Sequence, residues 1–419
     1  MATLHTLSNG VRVVCDPVPG LETVALSVVA GRGARHEDAA RSGWSHLLEH
    51  MVFKGAGDRS ARDIVEVIEA EGGQINAATG YERTSFQIRA LAGGLDLGSA
   101  VLGDLILRPR LDAGDLTREK QVVGQEIAEA ADTPDDLVFE MAQAAAFEGQ
   151  PLGRSILGAE ASLAPATPQT LAAWRTALYA PDNLVVAASG AVDEAEVLAL
   201  AERDFGCASG QGTAPFVPAH FTSGMRTGTK ALEQANLVFM LPTGGVSDPD
   251  YFALRLFVEI LGGGMASRLF QEAREKRGLA YAVDAFGEAY ADQGVLGVFA
   301  GCAAKDAAEL AKVAAGEILG LTTRVEPAEL ARAKAQLKAG VFMARESLQA
   351  RAEQAAGQVL LFDRVLSTAE VAADIDRVEA CDLMRVGEAM LAPRQVAVSV
   401  LGPKAAHKAV DVFSRALFA

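Results

Sequence analysis

Cysteine, histidine and aromatic side chains are all scarce in this chain of 419 residues, which has four cysteines, six histidines and 6% Phe, Trp and Tyr together. Cys15, Cys207, Cys302 and Cys381 stand far apart and form no CxxC pair. That argues against a cysteine-held metal and against a disulfide scaffold. A reducing compartment is the expectation. The opening stretch "MATLHTLSNGVRVV" has no basic segment followed by an apolar one, so no secretory signal is expected and the location is read as cytoplasmic. No run of about 18 apolar residues occurs, so no membrane span is expected. Positive charge is short as well: 38 Lys and Arg against 54 Asp and Glu leave a net charge of -16. Such a surface repels nucleic acid and anionic membranes and favours basic partners.

What is present suits a globular protein, with 50% hydrophobic and 22% charged residues. The length suits two domains of about 200 residues each. The segment "GCASGQGTAPFVPAHFTSG" (206–224) is rich in Gly, Ser, Pro and Ala and has no apolar period. It reads as a linker over 208–224, between an N-terminal domain over 1–207 and a C-terminal domain over 225–419.

The two sides resemble each other. "LYAPDNLVVAASG" (178–190) is answered by "MLAPRQVAVSVLG" (390–402), each with a Pro followed nine residues later by a Gly. "SHLLEHMVFKG" (45–55) falls opposite "RLFVEILGGG" (255–264), so that Glu49 meets Glu259. "LTREKQVVGQEI" (116–127) falls opposite "LARAKAQLKAGV" (330–341). The order is kept over the whole length, which indicates an internal duplication of one domain.

In the first copy, residues 11–16 and 23–31 read as Val-rich strands. Residues 41–54 read as a helix, and so do residues 60–73. In the latter, Ser60 is the N-cap with Asp63 three residues on, Gly72 closes the helix, and Ile64, Val65 and Ile68 form the apolar stripe. Residues 73–79 and 83–91 read as two strands, the second with Phe86, Ile88 and Ala90 on one face. Helices are expected over about 95–107 and 112–131. Helix and strand follow each other without a strict βαβ rhythm, so the fold class expected is α+β: two homologous layered domains, each a mixed or antiparallel sheet flanked by helices.

Two of the six histidines fall in "GWSHLLEHMVFKG" (43–55), four residues apart with a glutamate between them. On a helix, residues i, i+3 and i+4 share a face, so His46, Glu49 and His50 point the same way. Two imidazoles one turn apart can hold one Zn²⁺, and a neighbouring carboxylate can activate water beside it. The order H-x-x-E-H is the reverse of H-E-x-x-H and marks the inverted zinc peptidases. An i, i+4 His pair can equally be a surface pair or two satisfied core histidines. Here the flanks Trp44, Leu47, Leu48, Met51, Val52 and Phe53 are apolar, which buries the helix and leaves its polar face in need of partners. Zinc needs a third protein ligand, and the helix around 112–131 offers Glu119, Glu126 and Glu129. Glu119 and Glu126 are seven apart and share a face; spacing alone does not choose between them.

The segments "GWSHLLEHMVFKG", "GGQINAATGYERTSF" (72–86), "REKQVVGQEIAEAADTPDD" (118–136) and "GGGMASRLFQEAREKRGLAYAV" (262–283) together resemble the pitrilysin/insulinase family of zinc peptidases. The likeness is to its short-chain branch, which includes mitochondrial processing peptidase β-subunits and bacterial homologues. With the duplication it covers nearly the whole chain. The resemblance implies a hydrolase, a zinc metalloendopeptidase with one Zn²⁺ per chain. His46, His50 and Glu126 would be the ligands, Glu49 the general base toward the metal-activated water, and Glu119 an outer carboxylate that orients a ligand. Asn76, Ala77 and Thr79 would lie on the edge strand that takes the substrate backbone. Arg274 and Tyr281 match a pair used to hold substrate and stabilise the developing oxyanion; read without the resemblance, they are a surface charge and a core tyrosine.

Ala56 stands where relatives usually carry Thr, and Gln125 where many carry Glu. The long glycine-rich loop of processing-peptidase α-subunits is reduced to three glycines in "ILGGGMASRLF", which favours a general bacterial-type peptidase over a presequence-specific one. The second copy has Leu256 and Ile260 opposite the two histidines and cannot build a second zinc site. The chain carries both the zinc residues and the Arg/Tyr pair, so the resemblance implies a homodimer with the pair supplied in trans. The other readings are a non-catalytic scaffold subunit of a larger complex and a maturation peptidase dedicated to one substrate.

Overall fold

The computed structural model describes residues 2–419, which form two compact units. The first comprises residues up to Ile127, Ser155–Val217 and Phe342–Ser367, and the second Ala128–Arg154, Pro218–Val341 and Thr368–Ala419. The chain passes from one unit to the other at 127/128, 154/155, 217/218, 341/342 and 367/368.

The first unit is built on a sheet of six strands in the order Thr3–Thr6, Arg12–Pro17, Leu184–Gly190, Thr23–Ala30, Thr84–Leu91 and Gln74–Thr79. Only Arg12–Pro17 and Leu184–Gly190 run parallel; every other pairing is antiparallel. The second unit has five strands in the order Gly224–Thr229, Ala397–Gly402, Ala235–Thr243, Gly294–Cys302 and Ala280–Ala289. Here Gly224–Thr229 and Ala397–Gly402 run parallel and every other pairing is antiparallel. Apart from the added strand Thr3–Thr6 of the first sheet, order and direction repeat between the two sheets, and the fold is α+β and duplicated, as the paired segments indicated.

The exchanged segments, Ala128–Arg154 and Phe342–Ser367, explain why the central strands are buried on both faces. One face of the first sheet, with Leu26, Val28, Phe86 and Ile88, packs into the main core under the helices. The other face, with Val14, Val29, Val185 and Ala187, is covered by Ala352, Ala355, Ala356 and Val359 of the helix Leu348–Phe362. A strand buried on both faces loses the apolar-polar alternation of a half-exposed one, and all of Leu184–Gly190 is buried. The helix Pro134–Ala146 does the same service in the second unit, packing on Ala397–Gly402 and Ala235–Thr243. Each sheet is thus roofed by a helix encoded in the other half of the sequence.

Two local expectations need correction. The motif helix spans Trp44–Val52 rather than 41–54, because Gly43 at φ 88° sits in the left-handed region just before it. The next helix, Ala61–Ala70, keeps its Ser60–Asp63 capping box and ends before Gly72 at φ 68°. Of its expected stripe, Ile64 and Ile68 are buried, but Val65 is 40% exposed. A ten-residue helix lying on a sheet buries one i, i+4 row, and Val65 is turned off that row.

Candidate metal centre

The motif helix Trp44–Val52 is fixed at its start by a buried carboxylate. Glu37 accepts hydrogen bonds from the backbone N–H of Gly43 at 2.7 Å and of Ser45 at 2.6 Å. Two of the amides that a helix N-terminus leaves unpaired are satisfied, and a negative charge sits at the positive end of the dipole. The Trp174 indole donates to Ser45 Oγ, and the Trp44 indole to the Ser162 carbonyl. Leu47, Leu48, Met51 and Val52 are fully buried. The face that remains carries His46, Glu49 and His50, all half-buried.

The helix Ala113–Asp132 lies against that face. Lys120 ties it down by donating to the carbonyls of Ala164 and Ala166, both at 2.7 Å. Its buried stripe is Leu116, Glu119 and Val123, and Glu126 follows one heptad after Glu119. His46, His50 and Glu126 converge, each offering one ligand atom, with these atoms all within 4.8 Å of one another. Glu126 Oε2 lies 3.7 Å from His46 Nε2 and 3.5 Å from His50 Nε2. Four tetrahedral ligands with bonds of about 2.0–2.1 Å stand roughly 3.3 Å apart, so these separations suit a zinc ion. Glu126 Oε2 and Glu49 Oε2 are buried without a hydrogen-bond partner, as is His46 Nδ1 on the side of its ring away from Glu126. An orphaned carboxylate oxygen of Glu126 beside two imidazole Nε2 atoms is what a cation would satisfy. The residues present fit the ion.

The electrostatics agree. Burial, and after it the charge of His50, pushes the His46 imidazole down to about 4, so it is neutral and its lone pair free near pH 7. Burial pushes the Glu49 carboxyl above the usual range, against the pull of Thr79 and His50. A carboxylate raised in this way is a stronger base than one in water. Glu119 accepts from His50 Nδ1 at 3.2 Å, on the side of the ring away from Glu126. Glu129 is exposed and outside the group.

Asn76, Ala77 and Thr79 lie on Gln74–Thr79, the edge strand of the first sheet, which pairs on one side only, with Thr84–Leu91. The motif helix packs on this strand, and its last residue, Thr79, lies beside Glu49. In the second unit, Arg274 lies on a π-helical segment, Phe270–Lys276. Its guanidinium is 5.6 Å from the centre of the Tyr281 ring, so the two residues meet although seven apart in sequence. Tyr281 is 74% exposed, which removes the reading of it as core. Leu256 and Ile260, opposite the two histidines, are buried among apolar side chains. Among the described residues, the His46, His50 and Glu126 group has no counterpart in the second unit. Sequence reasoning passed over Glu37 and Lys54. Lys54 contacts Glu119 at 2.9 Å, and its signal was its place four residues after His50. Glu37 carried no such signal, because its capping role depends on the turn at Gly43.

Known proteins resemble the chain over nearly its whole length. The family model for insulinase, peptidase family M16, matches residues 12–160, and the model for the peptidase M16 inactive domain matches residues 165–337. An uncharacterized zinc protease of Rickettsia felis is 33% identical over 401 residues, spanning 96% of this chain and 97% of its own. An uncharacterized zinc protease of Bacillus subtilis is 33% identical over 390 residues, spanning 92% and 94%. Among solved structures, a protease from Helicobacter pylori matches with a TM-score of 0.89 at 21% identity, over 96% of this chain and 99% of its own. A chain of complex III2 from Candida albicans matches with a TM-score of 0.86 at 19% identity, over 99% of both chains. At those identities the two structures share the fold. By the two family models and the full-length relatives, the chain belongs to the insulinase family of peptidases, family M16.

Proposed function

We propose that the protein is a zinc-dependent endopeptidase that hydrolyses unfolded peptides. The observation that carries the reading is the convergence of His46, His50 and Glu126 with unpartnered buried acceptors, and with Glu49 on the same helix face. When bound, zinc supplies an acidified water and a Lewis acid for the scissile carbonyl. His46 and His50 present neutral nitrogens, and Glu126 adds the charge that holds a divalent ion. Glu49 takes the proton of the attacking water and hands it to the leaving amine. The substrate adds as a strand to the free edge of Gln74–Thr79, where the backbone at Asn76 and Ala77 aligns it and Thr79 brings it beside Glu49.

In this reading Arg274 and Tyr281 come from a second copy of the chain and complete the oxyanion environment. Sedimentation of the purified protein should give twice the chain mass; a monomer that still cleaves peptides would remove the trans arrangement. The net charge of -16 favours basic peptides. The reading is tested by stripping the metal with a chelator and following an internally quenched basic peptide of about ten residues, a length that an extended strand at roughly 3.3 Å per residue carries past the site. Activity should vanish and return with zinc, and an acidic peptide of equal length should be cleaved more slowly. No cleavage by a zinc-loaded chain would favour a scaffold role instead. Equal cleavage of the two peptides would remove only the charge preference.

A further inference from the structure

The row of basic residues continues past the end of the motif helix, with Lys54 in the turn after the C-cap Phe53. His46, His50 and Lys54 stand four apart, and Glu119 and Glu126 stand seven apart on the helix that faces them. The two rows interlock. Glu126 meets His46 and His50, and Glu119 meets His50 and Lys54. His50 is shared between the carboxylates through its two nitrogens. Glu119 is shared through its two oxygens, with Oε2 on His50 Nδ1 at 3.2 Å and Oε1 on Lys54 Nζ at 2.9 Å. The Glu119 side chain is 7% exposed and sits in the stripe of Leu116 and Val123. A carboxylate withdrawn from water in this way is costly unless each oxygen has a donor. Lys54, whose side chain is 34% exposed, keeps its stem along the protein and its head at the carboxylate.

We infer that Lys54 is a positioning residue for the metal centre: its ammonium holds Glu119 in the one orientation that accepts the hydrogen bond from His50 Nδ1–H. The inference rests on the zinc reading above. A neutral imidazole carries one N–H, and the partner at one nitrogen decides which nitrogen is left with a lone pair. A carboxylate can only accept, so Glu119 selects the Nδ1–H tautomer and leaves Nε2, on the Glu126 side, free for the ion. Without Lys54, Glu119 Oε1 loses its donor. The carboxylate then turns toward solvent, and the tautomer and ring angle of His50 are no longer set.

The experiment compares the full-length wild type with Lys54→Met, which keeps a straight apolar stem, and Lys54→Arg, which keeps a cation. All three are stripped of metal. Zinc affinity is then read by competition with a chromogenic chelator, and cobalt is added to read the visible spectrum of the ligand field. Thermal midpoints of the metal-free chains report the fold alone. Lys54→Met should lose about tenfold or more in zinc affinity and alter the cobalt spectrum, while Lys54→Arg stays within about threefold of wild type. Lys54→Met should have a lower metal-free midpoint than the other two, since it leaves an oxygen of the buried Glu119 without its donor, and the titrations are run well below that midpoint, where all three chains are folded. Zinc binding by Lys54→Met equal to wild type would overturn the inference, and so would a loss in Lys54→Arg as large as in Lys54→Met. A wild type that takes up no zinc would overturn the zinc reading and this inference with it, so the two failures are told apart within one titration.

Discussion

Glu49→Gln is expected to lower peptide hydrolysis by about 10²–10⁴-fold while the chain keeps its zinc. The amide has the size and shape of the carboxylate but cannot take a proton. Glu49 is not among the three residues whose ligand atoms converge, so its loss leaves the donor set whole. The buried pocket around it tolerates a neutral group, since burial already disfavours its charge. The measurement is the initial rate on the quenched peptide beside the zinc content of the same sample. A variant that cleaves at the wild-type rate would remove Glu49 from the chemistry. A variant that is inactive and zinc-free would make Glu49 part of the metal's binding instead.

His46→Ala is expected to weaken zinc binding by more than about a hundredfold, beyond the 10–100-fold typical of outer partners. A structural or catalytic zinc needs at least three protein donors, and among the described residues the group holds three. Removing one leaves His50 and Glu126, a pair common on protein surfaces without any metal. The fold should survive, because the helix is anchored by the Glu37 cap and by Leu47, Leu48, Met51 and Val52. Zinc retention at the wild-type level in His46→Ala would show that the ion sits elsewhere. Far-ultraviolet circular dichroism of the metal-free variant separates lost ligation from lost structure.

Much of this protein was determined by short-range rules acting on its sequence. The pitch of a helix sets His46, Glu49 and His50 on one face, whatever surrounds them. The pairing of 178–190 with 390–402 marks equivalent strands, which occupy the same place in both sheets. Ser60 and Asp63 cap their helix through bonds within four residues. What the tertiary structure alone decided is of longer range. Glu119 and Glu126 are equal candidates by spacing, and only the crossing of two helices sends Glu126 to the Nε2 side of His50 and Glu119 to the Nδ1 side. The helices Leu348–Phe362 and Pro134–Ala146 show an apolar face, but nothing in an alanine-rich stripe says which sheet it will cover, because the hydrophobic effect has no direction. Lys54 is an ordinary lysine until the second helix places a buried carboxylate 2.9 Å from it. Periodicity is a property of the backbone and can be read along one chain segment; the choice of partner depends on where distant segments pack, and only the assembled core decides that.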